Sequence, residues 1–160
     1  MTGRAARLAP FAAAVLVLAA VSAGGIVLTD LGPWYAGLRK PSWQPPDVAF
    51  GPVWTTIYAL CAVAFERAWS RAPQGTARRR ILALGAANML LNLLWSAIFF
   101  TARRPDLALV EVVPFWLSIA LLAREFARHT RLGGWLLAPY LTWVAFAAFL
   151  NLTIVRLNAG

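Results

Sequence analysis

Five apolar stretches set the pattern of the chain, at residues 8–28, 50–65, 81–102, 107–123 and 135–155, with short basic or proline-rich gaps between them. A helix needs about 20 apolar residues to cross a hydrocarbon layer, with a range near 17–25. The second stretch is short as it stands. Helix can continue through Glu66, Arg67, Ala68 and Trp69, because arginine snorkels its charge outward and tryptophan suits the interface. The pattern predicts helices over 8–28, 50–69, 80–102, 106–128 and 134–156. The expectation is an all-α integral membrane bundle of five transmembrane helices in one domain, 1–160.

Arg4 and Arg7 precede the first stretch, and Val21-Ser22-Ala23 resembles a signal-peptidase site. The apolar run continues past Ala23 to Leu28, so the first stretch reads as a retained span. The gaps at 71–80, 103–106 and 124–134 are short and force neighbouring helices to run antiparallel. Only the connection at 29–49 is long. Pro33, Pro41, Pro45 and Pro46 prevent a regular helix through it, and it carries Trp34, Tyr35 and Trp43. A proline-stiffened aromatic loop in a tight bundle reads as a lid.

Composition sharpens this picture. The chain is 61% apolar and 13% charged, with mean hydropathy +0.66. So much apolar surface in 160 residues must face lipid rather than water. The net charge of +9 would point to nucleic acid in a soluble protein. Here the basic residues occupy the gaps, where they read as topology signals and headgroup contacts, so no nucleic-acid partner is expected. The side bearing the N-terminus carries ten of them: Arg4, Arg7, Arg67, Arg71, Arg78, Arg79, Arg80, Arg124, Arg128 and Arg131. The other side carries five: Arg39, Lys40, Arg103, Arg104 and Arg156. That imbalance predicts a cytoplasmic N-terminus in a bacterial cell membrane, with the long loop and the C-terminus outside.

The single cysteine, Cys61, excludes an internal disulfide, and no metal-type spacing exists, so neither a metal nor a cofactor is expected. His129 reads as a loop residue among arginines. Asn151-Leu152-Thr153 matches a glycosylation sequon but lies in an apolar run, out of reach. Glu111 is the lone carboxylate inside an apolar stretch, read as a partner for a neighbouring helix or, less simply, a proton relay.

Polar groups within spans mark packing or a site. Asn88, Asn92, Trp95 and Phe99 share one helix face, as do Tyr140, Trp143, Ala147 and Asn151, and as do Trp54, Tyr58 and Phe65. Each residue alone is explained by interhelical hydrogen bonding or core filling. Together, three faces of rings with a few amides suit a flat polycyclic ligand, whose faces stack while amides orient its polar edge. Nothing resembles a Ser/His/Asp set, a carboxylate pair or a phosphate loop.

Four ordered motifs resemble the TspO/MBR family, which includes the mammalian translocator protein, the peripheral benzodiazepine receptor. They are Trp34-Tyr35 followed by Lys40-Pro41-Ser42-Trp43-Gln44-Pro45-Pro46; Phe50-Gly51-Pro52-Val53-Trp54-Thr55-Thr56-Ile57-Tyr58; Asn92-Leu93-Leu94-Trp95-Ser96-Ala97-Ile98-Phe99-Phe100; and Pro139-Tyr140-Leu141-Thr142-Trp143, continuing to Leu150-Asn151. The resemblance implies five helices around a pocket closed by the first loop. It implies binding of porphyrins such as protoporphyrin IX, of sterol or benzodiazepine-type ligands in some members, and a homodimer. By motif position Tyr35, Trp54, Tyr58, Asn92, Trp95, Trp143 and Ala147 match the family's pocket-lining positions. Trp54 and Trp143 match tryptophans implicated in light-dependent porphyrin breakdown by some bacterial members, so they are the catalytic candidates if that activity is present.

The chain departs from the family where Asn88 stands for a frequent Gln and Val48 for a common Trp. Leu152 stands where animal members carry the Tyr of their C-terminal cholesterol motif, although Leu31, Tyr35 and Arg39 fit the loose cholesterol pattern. Three functions are therefore expected in order: a porphyrin-binding sensor tuning tetrapyrrole or stress responses, a light-dependent porphyrin-degrading enzyme, and a porphyrin or sterol transporter. The third lacks the repeats and broken helices common in secondary transporters.

Overall fold

A computed structural model describes the backbone of residues 2–159 and the side chains of 9–159. The side chains of Arg4 and Arg7, which enter the orientation count, lie outside the described residues. Helix α1 is Thr2–Leu28. The long loop holds the single turn α2 at Pro33–Gly37 and a 3-10 turn at Asp47–Ala49 that runs into α3, Phe50–Arg71. Helix α4, Thr76–Ser96, continues as a π-helical segment, Ala97–Thr101. Helix α5 is Pro105–His129, α6 is the short Arg131–Trp135, and α7 is Ala138–Leu157. Among the described residues there is no strand, and five helical segments are long and apolar enough to cross a membrane.

Helix α1 starts six residues before the expected residue 8, and two other boundaries differ for local reasons. The last span is not one helix over 134–156. Thr130 is extended (φ −160°) and opens α6, and α7 begins only at Ala138, with Pro139 in its first turn where a missing N–H costs nothing. The third span begins at Thr76 rather than 80. Gly75 turns the chain at φ 87°, a conformation open to glycine, and the arginine-rich residues after it are already helical.

Helix α5 is the hub. It packs on α4 and α7 and also touches α3, while α1 lies against α3 and α4. Its span is 39% buried, against 6% for α1. Ala108, Val112, Phe115, Ile119, Leu122 and Phe126 repeat at heptad spacing along the buried stripe of α5. Lipid is as apolar as leucine, so burial alone does not drive these helices together; close packing and hydrogen bonds do. Small residues allow the approach. Ala64 and Ala68 of α3 are fully buried. At Gly134 an added Cβ would meet the Ala127 Cβ at 2.7 Å and the Ala123 carbonyl at 3.0 Å, so α6 folds back on α5 only with glycine there.

Candidate ligand-binding cavity

Polar side chains from four helices join in one hydrogen-bonded line through the bundle. The Tyr58 hydroxyl (α3) donates to Asn92 Oδ1 at 3.4 Å. Asn92 Nδ2 (α4) donates to the Tyr140 hydroxyl (α7) at 3.2 Å. Tyr140 donates to Asn88 Oδ1 at 3.3 Å, Asn88 Nδ2 donates to Ser118 Oγ (α5) at 2.9 Å, and Ser118 ends the line on the Phe115 carbonyl at 2.6 Å. Each group accepts from the one before and donates to the next. One N–H of each amide is used in the line, which leaves Asn88 and Asn92 a second N–H each.

Four of these residues border a cavity of about 250 Å³. Its polar end is Tyr58, Asn88, Asn92 and Tyr140; its walls are Val17 and Leu18 of α1, Cys61 and Phe65 of α3, and Gly85 and Met89 of α4. The lining is overwhelmingly apolar, with a few convergent polar groups, as expected of a small-molecule site. It lies under α1, the least buried of the five spans. A Cβ on Gly85 would touch nothing there. Among the described residues no group of three His, Cys, Asp or Glu side chains is placed to hold a metal ion.

The loop covers one end of the bundle and is fastened at several points. Trp43 stacks on Phe149 of α7 with ring centroids 5.3 Å apart and lies edge-on to Phe146. The Asn158 amide grips the Arg39 backbone, accepting from its N–H at 3.0 Å and donating to its carbonyl at 2.9 Å. Within the loop, the Tyr35 hydroxyl donates to Asp47 Oδ1 at 3.0 Å and accepts from Gln44 Nε2 at 3.2 Å, while Lys40 Nζ lies 3.5 Å from the Tyr35 ring centre. Burial, then the neighbouring Asp47 carboxylate, pushes the Tyr35 phenol up to about 12, so it stays a neutral donor in ordinary conditions.

The sequence matches the TspO/MBR family over residues 11–157. The chain belongs to that family. The tryptophan-rich protein TspO of Chlorobaculum tepidum is 39% identical over 144 residues, 89% of this chain and 91% of that protein. The translocator protein of Sus scrofa is 38% identical over 129 residues, covering 79% and 76%. A tryptophan-rich sensory protein of Cereibacter sphaeroides is 37% identical over 125 residues, covering 78% and 77%. The five apolar spans and this membership make the chain an integral multi-pass membrane protein.

Within this TspO/MBR fold the residues singled out from sequence fall into separate groups. Tyr58, Asn88, Asn92 and Tyr140 meet at the cavity. Trp54 stands directly behind them, its ring 5.4 Å from Tyr58 and 5.9 Å from Tyr140. Trp143 lies elsewhere, against Phe50 and Phe146, on an open cleft between α3 and α7. Trp95 stacks on Phe99 at 5.1 Å in the second core cluster, beneath Trp34 and Tyr35. Phe99 sits in the π segment, where the 3.6-residue period that aligned it with Asn88 no longer holds. Ala147 is half-buried and borders neither opening. Asn151 is spent on packing: oriented with Nδ2 toward the Pro105 carbonyl (3.0 Å) and Oδ1 toward the Leu109 N–H (3.1 Å), it holds the start of α5.

Sequence reasoning passed over Ser118 and Glu125 and placed His129 in a loop. Ser118, a lone hydroxyl in an apolar run, is a member of the hydrogen-bonded line. Glu125 is a second buried carboxylate; it pairs with Arg128 at 2.8 Å and lies 3.5 Å from His129 Nε2. His129 is therefore not a loop residue among arginines but the last residue of α5, one turn from a carboxylate.

Proposed function

We propose that this chain is a membrane sensory protein that captures a flat tetrapyrrole, a porphyrin such as protoporphyrin IX, in the cavity under α1, and so tunes tetrapyrrole or stress responses. The observation that carries the reading is the cavity itself: an apolar chamber with Tyr58 and Tyr140 at one end and two amides, each holding a spare N–H. Spare N–H groups in a dry site seek acceptors, which the carboxyl groups of a porphyrin supply. At about 250 Å³ the cavity lies just below the usual 300–1,000 Å³ of small-molecule sites. A macrocycle therefore enters by displacing α1, whose span is only 6% buried. The basic gaps support a cytoplasmic N-terminus in a bacterial cell membrane, with the loop on the outer side.

Titrating detergent-purified protein with protoporphyrin IX in the dark should quench tryptophan fluorescence to saturation. Because Cys61 borders the cavity, the bound pigment should also slow its labelling by a small maleimide. Quenching without protection of Cys61 places the pigment elsewhere, and no saturable quenching removes the reading.

A second reading, light-dependent breakdown of the bound porphyrin, is favoured by one contact. Trp54 touches both tyrosines of the cavity end, so an oxidising equivalent formed on an excited pigment has an aromatic route to it. Bleaching under light that persists unchanged in Trp54→Phe, with binding intact, removes Trp54 from the reaction.

A further inference from the structure

The cavity under α1 has a second end, on the side that bears the N-terminus. Along α4 its lining runs from Asn92 back to Ile81, about 16 Å of helix. Arg78 lies three and four positions before Ile81 and Leu82. It therefore shares the face of α4 that borders the cavity and stands one turn beyond the end of the lining. Two contacts tie it there. Phe65 lines the cavity and stacks on Trp69 with ring centroids 5.4 Å apart, and the Arg78 guanidinium lies 4.8 Å from the centre of the Trp69 ring. Its neighbours Arg79 and Arg80 are exposed, whereas Arg78 is half-buried.

The guanidinium has capacity to spare. Its Nε donates to the Ala72 carbonyl at 3.4 Å. Among the described residues no carboxylate lies within ion-pair distance of it, and Glu66, one turn from Trp69, pairs with Arg67 at 3.8 Å. Four of its five N–H groups remain, in a planar fork that matches a carboxylate. The depth agrees. Asn88 stands near the middle of the Thr76–Thr101 span, and Arg78 lies ten residues from it, about 15 Å along the helix. In a hydrocarbon core of about 30 Å that is the edge, the level of the headgroups. The cavity supplies the other half of the site. A volume of about 250 Å³ drawn out from Ile81 to Asn92 is long and narrow, and its walls Ala14, Val17, Phe65, Leu82 and Met89 are apolar. A single hydrocarbon chain suits that shape without displacing α1. Because α1 is the least buried span, lipid is the nearest source of such a chain.

We propose that the cavity also takes the tail of a fatty acid from the leaflet on the arginine-rich side, with the carboxylate held at headgroup level by Arg78 over Trp69. One half-buried cation matches one negative charge, and the apolar chain needs no polar partner. This second occupant rests on the cavity being a ligand site, as the porphyrin reading does, and the two ligands exclude each other.

The test uses full-length protein in phosphatidylcholine nanodiscs at mildly alkaline pH, where a fatty acid is ionised. Labelling of Cys61, which borders the cavity, by a small maleimide reports the tail. Palmitate should slow the labelling saturably, while uncharged methyl palmitate should not. In Arg78→Gln the apparent affinity for palmitate should fall about tenfold, the worth of one charge-assisted hydrogen bond. Arg80→Gln removes an exposed charge from the same cluster and should respond as wild type does. If Arg78→Gln does not fold, the comparison of palmitate with its ester carries the test. Equal slowing by the ester, an unchanged affinity in Arg78→Gln, or an equal loss in Arg80→Gln overturns the site, the last in favour of diffuse surface charge. Protoporphyrin quenching is measured alongside. Quenching without a palmitate response sinks the fatty-acid site alone, whereas a palmitate response without quenching sinks the porphyrin reading alone. Where both bind, palmitate should raise the protoporphyrin concentration needed for half-quenching, and a quenching curve that palmitate leaves unmoved overturns the shared cavity.

Discussion

Tyr140→Phe isolates the centre of the hydrogen-bonded line. The hydroxyl donates to Asn88 and accepts from Asn92, at 3.3 and 3.2 Å, and the side chain is 3% exposed. Phenylalanine keeps the ring and its edge-on contacts with Trp54 and Phe115, so packing loss is small. Two interhelical bonds vanish together. Such bonds in membranes average about 0.6 kcal/mol and reach about 1.7, so the substitution should cost about 1–3 kcal/mol. Reversible unfolding in mixed micelles, titrated with sodium dodecyl sulfate and followed by circular dichroism, measures the difference. The same substitution made on top of Asn88→Leu should cost only about half as much, because one of the two partners is already gone. A cost under about 0.3 kcal/mol in the wild-type background, half of one average bond, would refute the claim that the line holds the four helices.

Further outcomes are expected elsewhere. Gly134→Ala forces a methyl group against the Ala127 Cβ and the Ala123 carbonyl, and should lower stability by about 1–3 kcal/mol in the same unfolding assay. Asn158→Ala removes both bonds to the Arg39 backbone. Amide exchange in the loop should then accelerate about fivefold or more, with little change in the helices; equal protection would show that the Trp43 stack alone holds the lid. The Tyr35 clasp has a defined pH window. Its folded value is raised from 10.0 to about 12, so its contribution is fully present below pH 10 and is lost as pH rises through about 12. Tyrosinate absorbance should show one phenol lost from the alkaline end of the titration in Tyr35→Phe, and a phenol lost near pH 10 would contradict the buried clasp.

The loop shows how local chemistry and tertiary context divide the explanation. Prolines at 33, 41, 45 and 46 exclude a regular helix, and that much is local sterics. What fastens the loop, an amide 119 positions along the chain and a stack on Phe149, depends on where the end of α7 lies. The aromatic stripes behave likewise. Periodicity places Asn88, Asn92, Trp95 and Phe99 on one face, but Asn88 and Asn92 border the cavity while Trp95 and Phe99 stack on each other under the loop. Trp54 and Trp143 both match family pocket positions, yet Trp54 packs on the tyrosines of the cavity end while Trp143 packs on Phe50 and Phe146 and lines a separate cleft.

Sequence by itself determined the number of spans, their antiparallel order and their lipid-facing character, because the cost of placing polar groups in hydrocarbon acts on every residue independently of its neighbours. It also marked Asn88, Asn92, Tyr58 and Tyr140 as polar groups needing partners. Only the tertiary structure decided which partners they took, that Ser118 joined them, that Asn151 turned to α5 instead, and that Trp95 and Glu111 were left without hydrogen-bond partners. Those outcomes depend on helix rotation and register, which sub-ångström packing of alanines and glycines sets and which no single residue carries.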